Sequence, residues 1–275
     1  MPTTRFSFGR LNLIAEYEDK EQFLLKGLKT DKLLTVRGHQ WGYFEVERMD
    51  LLGGMLAGYL VKLRAVQPEE VVDLRTHGLA LTDVENRVIA KSRFYMHIVT
   101  GLIAYQIVSG HIYGDLFRRY FAKLFVEGYG DFFVNADIQA VEERTKFLET
   151  LATYERVRQV TIKLHPSNPS FAPTYRRVDE RLKKLQVKGY REIYSAERGE
   201  GLAVGDDEEI RSKVVMAEDG YGEARAKGMR AGHEQTISTL ENPMSTQAET
   251  QGRTMRQVLD QLLDMFESLI GRGRQ

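Results

Sequence analysis

Hydrophobic and polar positions change period several times along the chain, and each change marks an element. From Arg5 to Ala15, Phe6, Phe8, Leu11 and Leu13 alternate with other residues and predict a first strand. The charged segment Glu16 to Asp31 follows, with a short helix over Gln22–Leu28. Trp41 to Val46 and Met55 to Leu63 predict two more strands, with Gly53-Gly54 at the turn. Leu81 to Ala90 fits neither period. Phe94–Val99 and Leu102–Val108 predict an apolar hairpin turned at Thr100-Gly101. The spacing then lengthens. Leu116, Phe117, Tyr120, Phe121 and Leu124 predict an amphipathic helix from Tyr113 to Phe125, stopped by Gly128 and Gly130. Phe132 to Asn135 reads as a short strand, and Val141, Phe147, Leu148 and Leu151 predict a helix over Ile138–Thr153.

The second half is more sharply punctuated. Val160, Ile162 and Leu164 share one face of a strand over Val157–Leu164, which ends in His165-Pro166-Ser167-Asn168-Pro169. Ser170 caps a helix with Pro173 in its first turn, running to Val187 and broken at Gly189. Arg191–Ala196 is extended, and Asp206-Asp207-Glu208-Glu209 opens a short helix to Ala217, where acids suit the helix N-terminus. Gly220–Met229 and His233–Leu240 form a hairpin turned at Arg230-Ala231-Gly232. Thr246 and Glu249 have capping-box spacing, and Met255, Val258, Leu259, Leu262, Phe266 and Leu269 then predict one long C-terminal helix. The whole reads as an α+β protein. A strand-rich N-terminal domain over 1–135 is followed by a mixed αβ domain over 136–275 with a long C-terminal helix.

Composition narrows the chemistry. With no cysteine among 275 residues, disulfides, thiolate zinc sites, iron–sulfur clusters and cysteine nucleophiles are excluded. The uncharged window Phe94–Gly114 is long enough to span a bilayer. It carries His97, Thr100, Gln106, Ser109 and His111, however, and reads as buried strands instead. No signal peptide is visible, so the expected location is cytoplasmic.

The charge totals, 39 basic against 39 acidic residues, cancel only as a sum. Residues 156–191 hold ten cations against Asp179 and Glu180, a net of +8, whereas residues 192–223 hold ten acids against three cations, a net of −7. On the helix from Pro173, Arg177, Arg181, Lys184 and Lys188 recur at spacings of 4, 3 and 4, along one flank. Cations in a row repel one another, and phosphate backbone is the commonest partner for such a stripe. The competing expectation is a solvated face neutralised by the neighbouring acidic segment. Arg225, Lys227 and Arg230 on the later hairpin are candidates to extend the basic surface.

Catalytic signatures are weak. Gly199, Gly201 and Gly205 lack the dinucleotide spacing, and Glu200, Asp206 and Asp207 would repel phosphate. Consecutive acids over 206–209 point to different sides of a helix, which disfavours a metal site. Arg158 with His165 reads as strand rather than as a helical ribonuclease pair. Glu45 and Glu47 hint at a nuclease carboxylate pair without the usual companions, and the six histidines are scattered. His97 reads as a satisfied core histidine. No catalytic residue, metal or cofactor is expected, and the chain leans away from being an enzyme.

The order of parts in the second half is similar to that of the RexA-like phage-exclusion family, which extends to the DNA-binding subunit of the Kiwa defence system. The shared order is a strand, an Asn-Pro turn (Asn168-Pro169), a basic helix, an acidic stretch, a Gly-bearing hairpin (Arg225-Ala226-Lys227), a connection at Ser238 to Pro243, and a C-terminal helix. The 94–108 hairpin followed by Gly114-Asp115-Leu116-Phe117 is similar in arrangement. The resemblance implies a DNA-associated sensor or effector in bacterial antiviral defence, a membrane or other defence-system partner protein, and a homodimer. Together these readings favour a nucleic-acid-binding protein, with DNA ahead of RNA, contacting phosphates through Arg177, Arg181, Lys184, Lys188, Arg225, Lys227 and Arg230. The alternatives are an assembly subunit without nucleic-acid affinity, and a metal-dependent nuclease with a non-standard site.

Overall fold

The computed structural model describes residues 3–64, 67–84, 87–130, 134–167, 172–197, 199–205 and 207–272. In chain order the elements are β1 (Thr3–Ile14), α1 (Lys20–Leu28), β2 (Leu34–Val36), β3 (His39–Met49), β4 (Met55–Arg64), β5 (Gln67–Asp73), β6 (Gly78–Val84), β7 (Val88–His97), β8 (Leu102–Gln106) and α2 (Gly114–Tyr129). There follow β9 (Asn135–Ala140), α3 (Lys146–Leu151), β10 (Arg156–Leu164), α4 (Arg176–Lys184), β11 (Tyr190–Ser195), α5 (Glu208–Met216), β12 (Gly222–Arg230), β13 (His233–Ser238), β14 (Ser245–Glu249), α6 (Met255–Asp260) and α7 (Leu263–Gly271). A 3-10 turn, Pro173–Tyr175, leads into α4, and a π-helical turn, Ala217–Tyr221, follows α5. The mixture of sheets and helices is the expected α+β fold.

The large sheet runs β14-β1-β8-β7-β4-β3-β2, with β9 also pairing with β1. Its strands alternate between two cores, as a period of two requires. Phe94 and Met96 of β7, with Leu56 and Leu60 of β4, face α2, whose Phe117, Phe121, Leu124 and Phe125 are buried among them. Tyr95, Met55 and Ala57 point the other way with Phe6 and Phe8, against Val258, Leu259, Phe266 and Leu269 of α6 and α7. Each of the Val, Leu, Phe and Met side chains among them contributes about 1.5–3 kcal/mol by leaving water.

The second sheet runs β11-β10-β12-β13, all antiparallel. Val160, Ile162, Leu164, Ala224 and Ala226 line its inner face, where Leu182 of α4 and Ile210, Val214 and Met216 of α5 cover them. Strands β5 and β6 pair only with each other and form a separate two-stranded ribbon between β4 and β7.

Several expectations are corrected. The single long C-terminal helix is two short ones. The amides of Gln261 and Leu262 bond to the carbonyls three residues back, Val258 and Leu259, and this tighter turn breaks the helix. The capping box lies at Thr254 and Gln257, not at Thr246 and Glu249, which belong to β14. Only Lys146–Leu151 of the predicted 138–153 helix is helical. Its first residues are strand, with Ile138 and Ala140 opposite Leu11 and Gly9 of β1. β9 straddles the 135/136 boundary and β14 lies beyond it, and both pair with β1 of the first sheet. The Asn168-Pro169 turn, the Ser170 cap, Asp206 and the first half of the Phe132–Asn135 strand lie outside the described residues. Among the described residues no helix is long and apolar enough to cross a membrane.

Candidate nucleic-acid interface

Helix α4 is set on the second core by two buried contacts. Leu182 packs beneath it. Asp179, 4 % exposed, accepts hydrogen bonds from the Ser167 amide (2.7 Å) and hydroxyl (2.5 Å), tying the helix to the chain leaving β10. Lys183 donates to the same carboxylate at 2.7 Å, and Arg176 pairs with Glu180 at 2.7 Å. The cations thus neutralised are not those of the predicted stripe. Arg177, Arg181 and Lys184 are exposed, and no described carboxylate pairs with any of them. The helix ends at Lys184, and Gln186 turns the chain away with φ of +51°. Lys188 is exposed but stands beyond the helix, so three cations rather than four form the helical row.

Among the described residues, no carboxylate of the acidic segment that follows forms an ion pair with this row. Glu192 and Glu209 hold Lys213 at 2.6 and 2.7 Å inside the second unit. Their carboxylates raise the Lys213 pKa against the opposing pull of its burial. Asp207 caps α5, accepting from the Ile210 amide at 2.8 Å. Glu218 and Asp219 are fully buried elsewhere, and Glu223 lies on the outer sheet face.

That outer face carries Arg225 and Lys227. They alternate with the buried Ala224 and Ala226, so they point away from the core on which α4 sits. The α4 row and the hairpin cations are therefore on opposite sides of the unit and do not form one surface. On the sheet, Glu223 reaches Arg225 (2.8 Å) and Lys163 (3.6 Å), and Glu234 reaches Lys227 (2.9 Å) and Arg158 (3.6 Å). Each acid sits between two cations. Arg230, half-buried at the end of β12, lies opposite His233 across the turn.

A buried charged joint, which periodicity does not reveal, connects the two sheets. The π-helical turn carries Glu218 and Asp219, 0 % and 1 % exposed. Asp219 accepts from Arg144 (2.9 and 3.3 Å) and from the Tyr175 hydroxyl (3.1 Å). Arg10 of β1 donates to the Asp219 carbonyl at 2.7 Å and stacks 4.6 Å over the Tyr221 ring, while Asn12 donates to the Gly220 carbonyl at 2.9 Å. Gly220 has φ of +85°, and a Cβ there would come 2.9 Å from Cβ of Arg10, so both the turn and the close approach require glycine. The Glu218 carboxylate accepts the amides of Thr145 and Phe147, both at 3.1 Å. Burial pushes Glu218 up to about 7, and burial beside Glu218 pushes Glu142 up to about 8. The only sequence signal is Glu218-Asp219-Gly220 lying within an otherwise apolar run. The bonds of these residues run from the π-helical turn to β1 and to the chain around Thr145.

The remaining candidates stay apart. Glu45 and Glu47 are exposed at a β-bulge, and no group of three potential metal ligands occurs among the described residues. Arg158 and His165 occupy opposite ends of β10, with Arg158 near Glu234 and His165 3.9 Å from Asp137. His97 is buried, with Nδ1 2.8 Å from the Thr100 hydroxyl and Nε2 3.0 Å from the Leu52 carbonyl, a satisfied core histidine. A comparison with curated proteins gives no match. The model of one family spans almost the whole chain, matching residues 5–267 across both sheets, and the protein belongs to that family, DUF4747, described as a domain of unknown function.

Proposed function

We propose that this protein binds nucleic acid, duplex DNA ahead of RNA, through the exposed flank of α4, and that it serves bacterial antiviral defence as a non-enzymatic sensor or effector acting with a partner protein. One observation carries the binding reading. Arg177, Arg181 and Lys184, with Lys188 beyond them, keep no carboxylate partner among the described residues, although ten acids follow them in the chain. A row with no carboxylate partner among the described residues suits an external polyanion. The outer-face cations, already held by Glu223 and Glu234, are secondary to it. The defence role rests on the likeness of the second half to the RexA-like family in its order of parts.

The test is fluorescence anisotropy with a short DNA duplex, the same sequence as RNA, and a single strand, each across a salt series. Four phosphate contacts predict a slope of log affinity against log salt of roughly −3.6. The Ala variant at 177, 181, 184 and 188 should lose most of that slope. If its affinity and slope equal those of the wild type, the α4 reading fails. Assembly without nucleic acid is favoured instead by the exposed apolar ribbon β5–β6.

A further inference from the structure

We propose that the β5–β6 ribbon is an arm that docks into an apolar groove on a second copy of this chain, in a reciprocal exchange; this stands independently of the nucleic-acid reading. The ribbon has one apolar face. Val72 pairs directly with Leu79, Leu81 lies two residues along on the same side, and Leu74 stands in the turn at the tip. These side chains are 64 %, 67 %, 75 % and 79 % exposed, so the ribbon does not cover its own body. Its tip is organised, because Asp73 accepts from the Arg75 amide and the Thr76 hydroxyl, both at 2.9 Å. Paired strands of this length reach roughly 20 Å from their base.

A matching groove opens where the arm begins. Helices α6 and α7 cover the Met55 and Ala57 end of one face of the large sheet. The other end of that face is left to a groove lined by Leu33, Phe44, Tyr59, Val61, Leu63 and Val88. Phe44 and Val88 are 41 % and 56 % exposed. Its floor is β4 and β7, the two strands from which the arm springs. Arm and groove are therefore adjacent, as a two-fold exchange needs: the same two patches serve both copies.

Area and charge point to the same occupant. Four apolar side chains this exposed present on the order of 500 Å² per arm. With the groove walls covered as well, two arm–groove contacts reach about 2,000 Å², within the range of a specific interface. Asp31, Glu45 and Lys91 stand in the groove, and no described residue forms an ion pair with any of them. The arm supplies the complements, Arg75 and Glu70, both exposed and likewise unpaired among the described residues.

The test is sedimentation equilibrium of the full chain in moderate salt. The wild type should be a dimer with a Kd below about 10 µM. Leu79→Glu with Leu81→Glu on the arm, and separately Phe44→Glu in the groove, should each weaken the dimer at least about 100-fold. Mixing the two variants should restore heterodimers, since one intact arm then meets one intact groove. Arg75→Glu and Glu45→Lys, a pair of exposed substitutions that leave both cores untouched, should weaken the dimer singly and restore it together. A wild type monomeric at ~100 µM overturns the proposal. So does an arm variant that still dimerises. A groove variant that dimerises while the arm variant does not overturns it too, because the arms then pair with each other.

Discussion

Replacing Glu142 by Gln tests the buried joint through its pH dependence. The Glu142 carboxyl is 2 % exposed, its Oε2 has no hydrogen-bond partner, and Glu218 and Glu241 both disfavour its charge. Its pKa rises from 4.5 to about 8 in the folded protein. Because the folded state holds the proton more tightly than the unfolded chain, unfolding releases it between those values. Stability contributed by the neutral acid is then complete below pH 4.5 and is lost as pH rises towards 8. At about 1.4 kcal/mol per pH unit, the rise corresponds to on the order of a few kcal/mol across the window, part of it set by repulsion from Glu218. Glu218, pushed up to about 7, adds a loss of the same sign that ends earlier. Glutamine keeps the shape of the neutral acid and cannot ionise. We therefore expect E142Q to match the wild type near pH 4.5, to exceed it progressively up to pH 8, and to run parallel above. Urea unfolding at steps from pH 5 to 9 reads this, followed by Trp41, the single tryptophan, 2 % exposed, and by circular dichroism for both sheets. If the two proteins have the same pH slope, Glu142 does not titrate in this way and the account of the joint is refuted.

Further substitutions probe local contacts. Gly220→Ala places a Cβ 2.9 Å from Cβ of Arg10 at a φ of +85° and should destabilise by about 2 kcal/mol or more, whereas Gly232→Ala, at a φ of +75° with nothing within 4 Å, should lose only the conformational part, about 1 kcal/mol; equal midpoint shifts in urea would show that the Arg10 contact does not matter. Lys213→Met removes the partner of Glu192 and Glu209 and should lower stability by about 1–3 kcal/mol, with the loss largely abolished when Glu192 is also changed to Gln, a double-mutant comparison read by thermal unfolding.

Much of the fold is legible along the chain. Periodicity predicts β1, β3, β4, the β7–β8 hairpin, α2, β10 and the β12–β13 hairpin within a few residues, because each turns an apolar face to a core at the period of its element. It misplaces β9, whose Ile138 also fits a helical spacing with Val141, although β9 pairs with β1. It merges α6 with α7, since their apolar residues keep helical spacing across a tight turn. The α4 row is likewise visible as spacing, yet its fourth member falls past the helix end.

The sequence by itself determined the α+β class, most strands, the absence of cysteine chemistry, and a basic segment followed by an acidic one. Those properties depend on residue type and local period, which are written along the chain. Only the tertiary structure decided where the charges went. It left Arg177, Arg181 and Lys184 without a carboxylate partner among the described residues, placed Arg225 and Lys227 on the opposite face, and buried Glu218 and Asp219 between two sheets. Charge pairing is set by distances of a few ångströms across elements far apart in the chain, from β1 at one end to Arg272 at the other, 3.9 Å from Asp219. No count along the sequence contains those distances.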